Sequence, residues 1–210
     1  MSGPSHHTEA HLLAKAAHTG DHVVLTCFSP ADGLLTALLR VTRNPKPDTQ
    51  PAPDLFDRLA LTLQHGRNSP ADGPWFVREH RLLARHAAIG RDYPTLTAAS
   101  RLARLVTRNP GPQDSRAAVD TLLSQAFAAL TRPGTRPESI YFKSLYCLFR
   151  DEGLPLKQEW LPALPASDRD LIAAALSQPA DSPAVTLNDI TRLTKRLEAY
   201  LVNGHDLVLD

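Results

Sequence analysis

Cysteine is scarce in this sequence: only Cys27 and Cys147 occur among 210 residues, far apart and each inside an apolar run. A single disulfide between them is one interpretation. Free and buried thiols are the preferred one, because the chain shows no basic-then-apolar leader and no apolar run long enough to span a bilayer. Buried cysteines of this kind act as small core residues in a reducing compartment. The sequence therefore predicts a cytoplasmic protein without membrane association.

Motifs of catalysis and of phosphate binding are also lacking. There is no G-x-S-x-G, Walker A or G-x-G-x-x-G pattern, and neither cysteine lies in an activating context. Eight of the nine histidines precede residue 91, but they are scattered and none of them belongs to an H-E-x-x-H motif. We therefore expect a protein that is not an enzyme and has no cofactor and no bound metal. A hydrolase built from scattered His and Asp residues is the least favoured hypothesis.

Charge of one sign is not in excess either. The chain has 23 Lys and Arg against 22 Asp and Glu, for a formal net charge of +1. This balance argues against a histone-like polycation. A balanced net charge is nevertheless compatible with a local basic surface that binds a polyanion.

The first part of the chain, residues 1–88, alternates apolar and polar residues with the period of a β-strand. Turn signals rich in Gly, Pro and Asn separate five such runs, which fits a small closed barrel of the OB type better than an open sheet. In the first run, Ala10, Leu12 and Ala14 are predicted to face inward and His11 outward. The five predicted strands are 8–16, 22–28, 34–43, 55–67 and 75–86.

Residues 89–210 show helical spacing instead. The segment 93–108 is one predicted helix, and 137–153, which is apolar nearly all round, is the predicted central helix. Ser167 with Asp170 and Thr186 with Asp189 are predicted capping boxes of the last two helices. Leu187, Ile190, Leu193, Leu197 and Leu201 are the predicted inward residues of the final helix. The predicted fold class is α+β, an OB barrel followed by an α-helical bundle.

An OB barrel binds single-stranded nucleic acid with a basic groove and stacking aromatic side chains. Phe56 and Trp75 are the candidate aromatic platforms, although Trp75 at a strand start is more typical of a core. Basic residues at the end of the third strand form the predicted phosphate-contacting patch, because a Pro-rich loop follows them. The predicted nucleic-acid-binding residues are Lys15, Arg40, Arg43, Lys46, Arg67, Arg78 and Arg81.

Two further basic strips occur on predicted helices. One consists of Arg192, Lys195 and Arg196, and the other of Arg101, Arg104 and Arg108. The polar side of an amphipathic helix is the preferred interpretation of both.

The order of these motifs resembles the RecO family of bacterial recombination mediators. The segment 8–45 is similar to that family's opening strands and hairpin, through Thr8, Ala10, Leu13, Gly20, Asp21, Val24, Leu25, Phe28 and Gly33. Residues 54–86 are similar to its fourth and fifth strands. Ala98, Ala99 and Ser100 match an A-A-S motif in its first helix, and 141–157 resembles its central helix. The resemblance covers nearly the whole chain.

The resemblance implies a DNA-binding protein without catalytic chemistry, associated with the nucleoid. Such a protein binds single- and double-stranded DNA, anneals complementary strands and associates with RecR. It also docks the acidic C-terminal tail of single-stranded-DNA-binding protein in its helical domain, and so helps to load RecA.

One feature departs from the family. Many members carry a four-cysteine zinc module after the central helix, whereas residues 156–168 of this chain contain no cysteine. The sequence therefore predicts a shortened helical domain without structural zinc. The main alternative function is a protein-binding adaptor that does not bind DNA.

Overall fold

The computed structural model describes residues 5–17, 20–41, 51–66, 73–205 and 207–209. The chain divides into two compact units, Met1–His86 and Ala87–Asp210. The first unit is built of strands and the second of helices, so the predicted α+β class is confirmed.

Five strands close into a barrel in the first unit. They are β1 (His6–Ala17), β2 (His22–Ser29), β3 (Gly33–Arg40), β4 (Arg58–His65) and β5 (Trp75–Ala84). Their order around the barrel is β1-β2-β3-β5-β4, with β4 returning to β1 and β3 running parallel to β5. This closed order is that of an OB-type barrel, which leaves no free sheet edge.

Alternating side chains fill the barrel. Strands β1 to β4 contribute small or branched apolar residues to one core, and Trp75, Val77 and Leu82 of β5 pack against it, while the residues between them point outward. Gly33, which opens β3, has a φ of +76°, a conformation that suits glycine in the tight connection after β2. The core residues are Ala10, Leu12, Leu25, Cys27, Leu35, Ala37, Leu59, Leu61 and Leu63.

The predicted facing of β1 is wrong beyond Leu12. The β1–β2 register shifts between Leu12 and Ala14, so Leu13 is an extra residue in a β-bulge. Leu12 and Leu13 are therefore both buried, and Ala14 is exposed rather than inward. His11, predicted to face solvent, is fully buried. It lies in register with Phe28, which is buried as well.

Five α-helices form the second unit. They are α1 (Tyr93–Arg108), α2 (Arg116–Leu130), α3 (Pro137–Asp151), α4 (Ala166–Ser177) and α5 (Leu187–His205). Short 3-10 turns occur at Ala87–Arg91 and Gln113–Ser115, and a π turn at Leu156–Trp160. None of the helices in the described part of the chain is long and apolar enough to cross a membrane.

Helix α3 is the centre of this unit, as predicted, because it contacts each of the other four helices. Phe142, Leu145, Tyr146 and Phe149 are almost fully buried along it. The helix ends before Gly153, whose φ of +90° is the left-handed conformation common after a helix C-terminus.

The two predicted capping boxes have opposite outcomes. At α5, the Asp189 amide donates to Thr186 Oγ1 over 3.2 Å and the Thr186 hydroxyl donates to Asp189 Oδ2, which confirms the box. At α4, the N-cap is Pro165 and no side chain caps the helix, so the Ser167–Asp170 box is wrong. Leu187, predicted inward on α5, is also half-exposed, because it lies in the first turn of the helix.

Candidate nucleic-acid interface

The structure describes four of the seven predicted nucleic-acid-binding residues. Lys15, Arg40, Arg78 and Arg81 lie on barrel strands, whereas Arg43, Lys46 and Arg67 lie outside the described residues. The four do not form one surface.

Arg40 ends β3 on the outer face of the barrel. Leu38 pairs with Phe76 of β5, and the preceding pair, Ala37 with Trp75, packs on the core side. Because side chains alternate along a strand, Leu38, Arg40 and Phe76 share the outer face. Arg40 is exposed and makes no hydrogen bond or ion pair with the rest of the described chain. Within the described part of the chain, Arg40 is therefore an unpaired cation on the face that carries Phe76.

The partners of Phe76 complete this surface. His22 pairs with Arg40 across the β2–β3 ladder, and its ring meets the Phe76 ring edge-on at 6.0 Å between centroids. Gln64 pairs with Phe76 across β4–β5. Arg78, two residues after Phe76, lies in a β-bulge, and its Nε donates to Gln64 Oε1 over 2.9 Å. We call the set His22, Arg40, Gln64, Phe76 and Arg78 the Phe76 patch.

The parallel pairing of β3 and β5 brings the two arginines to the same end of the patch. Arg40 follows Leu38 by two residues and Arg78 follows Phe76 by two residues, on neighbouring strands that run in the same direction. Phe76 is half-buried and both arginines are exposed. A half-exposed aromatic ring with two cations suits a stacked base and the phosphates that flank it.

Neither predicted aromatic platform is available for stacking on a ligand. Phe56 is only 3% exposed. Trp75 packs against the barrel core and contacts the rings of His6 and His65, with centroid distances of 5.3 and 3.7 Å. The prediction for Phe56 is wrong because the ring is buried, whereas Trp75 takes the core role that is more typical of a strand start. Phe76 was missed, although strand alternation turns it outward once Trp75 faces the core.

Lys15 lies apart from the Phe76 patch. It is in register with the buried Leu25, and its Nζ donates to the Pro53 carbonyl over 2.8 Å. This lysine therefore ties the end of β1 to the segment before β4.

Arg81 lies in a different groove, of about 730 Å³, on the outer face of β1, β4 and β5. The small residues Ala60 and Thr62 form its floor, and Glu9 and Glu79 line its walls together with Arg81. The Arg58 guanidinium lies 3.3 Å from Glu9 Oε2. Carboxylates thus accompany the cations here, in contrast to the Phe76 patch.

A third surface feature is an apolar groove between α2 and α3, of about 600 Å³. Leu122, Ala126 and Ile140 line it, and Lys143 and Arg150 lie along the α3 side. The Lys143 ammonium donates to the Gln178 carbonyl, and burial lowers the pKa of this lysine. Arg150 Nε donates to Oδ1 of Asp151, which also lines the groove, over 2.7 Å. The groove therefore combines an apolar slot with two cations and one carboxylate.

The two cysteines differ in exposure, and both are free thiols. Burial raises the pKa of Cys27, in the barrel core, to about 12. Cys147, predicted to be buried, is half-exposed in the α2–α3 groove, and desolvation raises its pKa as well. Across the described residues, no three His, Cys, Asp or Glu side chains gather as ligands of a metal ion would.

The fold defines the class of the protein as an α+β chain with an OB-type barrel and a helical unit. No protein-family model matches the sequence, and no curated protein matches it significantly.

Proposed function

We propose that the chain is a DNA-binding recombination mediator, and that its barrel contacts single-stranded DNA through the Phe76 patch. The observation that carries this proposal is the pair of exposed arginines beside Phe76 on an OB-type barrel. Any base can stack on an aromatic ring, whatever the DNA sequence, and arginines beside the ring bind the phosphates that flank the stacked base. These are the properties that a protein acting on many sequences needs.

Strand annealing requires no covalent chemistry. Cations that neutralise phosphates on two strands reduce their repulsion, and a shared carrier raises their local concentration. Weak contacts at each site allow the strands to leave the protein once paired. On this proposal, both single- and double-stranded DNA bind, and the chain acts with RecR and helps RecA to load.

The α2–α3 groove supports the docking of an acidic peptide in the helical unit. Its apolar slot suits the apolar side chains of such a peptide. Lys143, and the terminal nitrogens of Arg150 that its ion pair with Asp151 does not use, supply the cations for the peptide's carboxylates. We assign the acidic C-terminal tail of single-stranded-DNA-binding protein to this groove.

A fluorescence-anisotropy titration with a labelled single-stranded oligonucleotide, at two salt concentrations, tests the proposal. Affinity should fall steeply as salt increases, because neutralised phosphates release their counterions. A labelled acidic peptide in the same assay reports on the α2–α3 groove. Absence of oligonucleotide binding at low salt, together with peptide binding, would reject DNA mediation in favour of the protein-binding adaptor.

A further inference from the structure

One face of helix α5 carries a shallow, open depression of about 540 Å³, which we call the α5 groove and which shares no residue with the α2–α3 groove. Asn188, Thr191, Arg192, Lys195 and Arg196 line it together with Ala199. Every lining side chain except Ala199 is polar or charged. The residues from 188 to 199 span roughly 16 Å of helix at 1.5 Å per residue. The groove is thus an elongated polar surface with three cations.

A buried carboxylate holds two of these cations in place. Asp168, in the first turn of α4, is only 3% exposed. Its Oδ1 accepts a hydrogen bond from Arg192 Nη1 over 2.5 Å, and its Oδ2 accepts one from Arg196 Nη1. Since Arg192 and Arg196 are four residues apart, Asp168 fixes two guanidinium groups side by side along one turn of α5.

These contacts do not use all of the guanidinium donors. Each guanidinium has five N–H groups. Arg196 directs one of its terminal nitrogens to Asp168, while Arg192 uses one nitrogen for Asp168 and another for Asp189 Oδ1, at 3.1 Å. Their side chains remain 40% and 43% exposed. The remaining donors can therefore reach a ligand in the groove.

The charges of the groove are not balanced. Arg192, Lys195 and Arg196 face two carboxylates, Asp168 and Asp189. Lys195 is exposed and has no hydrogen-bond or ion-pair partner within the described residues. A buried carboxylate with two arginines is by itself weak evidence for stabilisation, since desolvation offsets much of the attraction. Its clearer consequence is that two guanidinium groups are held in fixed positions beside the exposed ammonium of Lys195.

We propose that the α5 groove binds the phosphates of a second DNA strand. This inference rests on the proposed function, because it supplies the second of the two strands that annealing brings together. Planar guanidinium groups match the oxygens of a phosphodiester, and their fixed positions reduce the entropy lost on binding. An acidic peptide fits less well, because this groove lacks the apolar slot that the α2–α3 groove offers.

The experiment measures how many strands one chain binds and how fast it anneals them. The variant Thr191→Glu/Lys195→Glu reverses the charge of the groove without touching the Asp168 ion pairs. Arg132→Glu, at an exposed position after α2, is the control for a loss of positive charge elsewhere on the helical unit; it lowers the net charge by two, one unit less than the double variant does. A labelled octanucleotide titrated into each protein gives the stoichiometry, and complementary strands give the annealing rate. Circular dichroism and a melting curve establish that each variant is folded.

We expect two octanucleotides per parent chain and one per double variant, with annealing slowed at least about tenfold by loss of the shared carrier. The milder Lys195→Gln should weaken only the second binding event, by about threefold, since one cation is lost. A double variant that binds and anneals like Arg132→Glu would overturn the inference while leaving the Phe76 patch intact. A parent that binds no octanucleotide would overturn the proposed function itself.

Discussion

Strand β5 carries two exposed arginines three residues apart, Arg78 and Arg81, whose surroundings differ. Arg78 donates to the neutral Gln64 beside Phe76, and the exposed Arg40 lies at the same end of the neighbouring strand. Arg81 shares its groove with Glu9 and Glu79. Both arginines were equal candidates in the sequence. The comparison shows that the groups around a cation decide its value for binding a polyanion, because nearby carboxylates cancel its field.

Charge reversal should separate the two regions most clearly. The variant Arg40→Glu/Arg78→Glu should lower the affinity for single-stranded DNA at low salt at least about 30-fold, because two phosphate contacts become repulsive. Arg81→Glu should lower it less than about threefold, since its groove already contains carboxylates. Anisotropy titrations across a salt series provide the measurement.

The salt series also gives a slope for each protein. The magnitude of the slope of log affinity against log salt should fall by about 1.4 in the double variant, at about 0.7 per phosphate on a single strand. Equal losses in Arg81→Glu and in the double variant would show that the barrel binds DNA by its total charge rather than at the Phe76 patch.

Removal of the Phe76 ring should have the next largest effect. Phe76→Ala should weaken binding about tenfold, because stacking of a base on an aromatic ring contributes about 1–3 kcal/mol. The salt slope should stay unchanged, since no cation is lost. Phe76→Trp is the matched control and should retain the affinity of the parent. A Phe76→Ala protein with normal affinity and a reduced slope would contradict the stacking role.

The positions of the strands and helices could be predicted from the sequence, because the spacing of apolar residues along each element reflects which of its sides is buried. Helix α1 has the predicted bounds, and the barrel has the predicted five strands. The bulge at Leu13 could not be predicted from the sequence, because nothing in the residues of β1 marks it. Its effect is that Ala14 faces the opposite side of the strand from the predicted one. The register of β1 depends on its pairing with β2, and the residues of β1 alone do not indicate that pairing.

The candidate sites show the same limit. Arg40 and Arg78 are far apart in sequence, and only the parallel β3–β5 pairing places them together. Asp168 lies in the first turn of α4, where the helix dipole alone would favour a carboxylate. In the structure it is buried and holds Arg192 and Arg196 of α5. Ion pairs between distant segments depend on tertiary packing, so the sequence indicated the cations but not their partners.

A substitution of Asp32, which lies in the turn between β2 and β3, should have the smallest effect on DNA affinity. Its Oδ1 lies 3.0 Å from His6 Nε2, and His6 contacts the ring of Trp75, the residue before Phe76. Burial alone would raise the pKa of Asp32, but hydrogen bonds from Thr8, His6 and Ser29 and the charge of His6 hold it below its ordinary value.

The direction of this shift fixes how stability should depend on pH. Because the folded pKa of Asp32 is lower than the unfolded value, its ionisation stabilises the fold above the unfolded pKa, and this stabilisation is lost as pH falls through the folded pKa. Asp32→Asn should therefore lower the free energy of unfolding at pH 7 by about 1 kcal/mol, and the difference should vanish in acid. Denaturant unfolding at several pH values measures it. DNA affinity should remain within about twofold of the parent, because Asp32 is tied to His6 and Ser29 and not to the Phe76 patch. A large loss of affinity in this variant would mean that the packing around Trp75, rather than the arginines, determines how the Phe76 patch binds DNA.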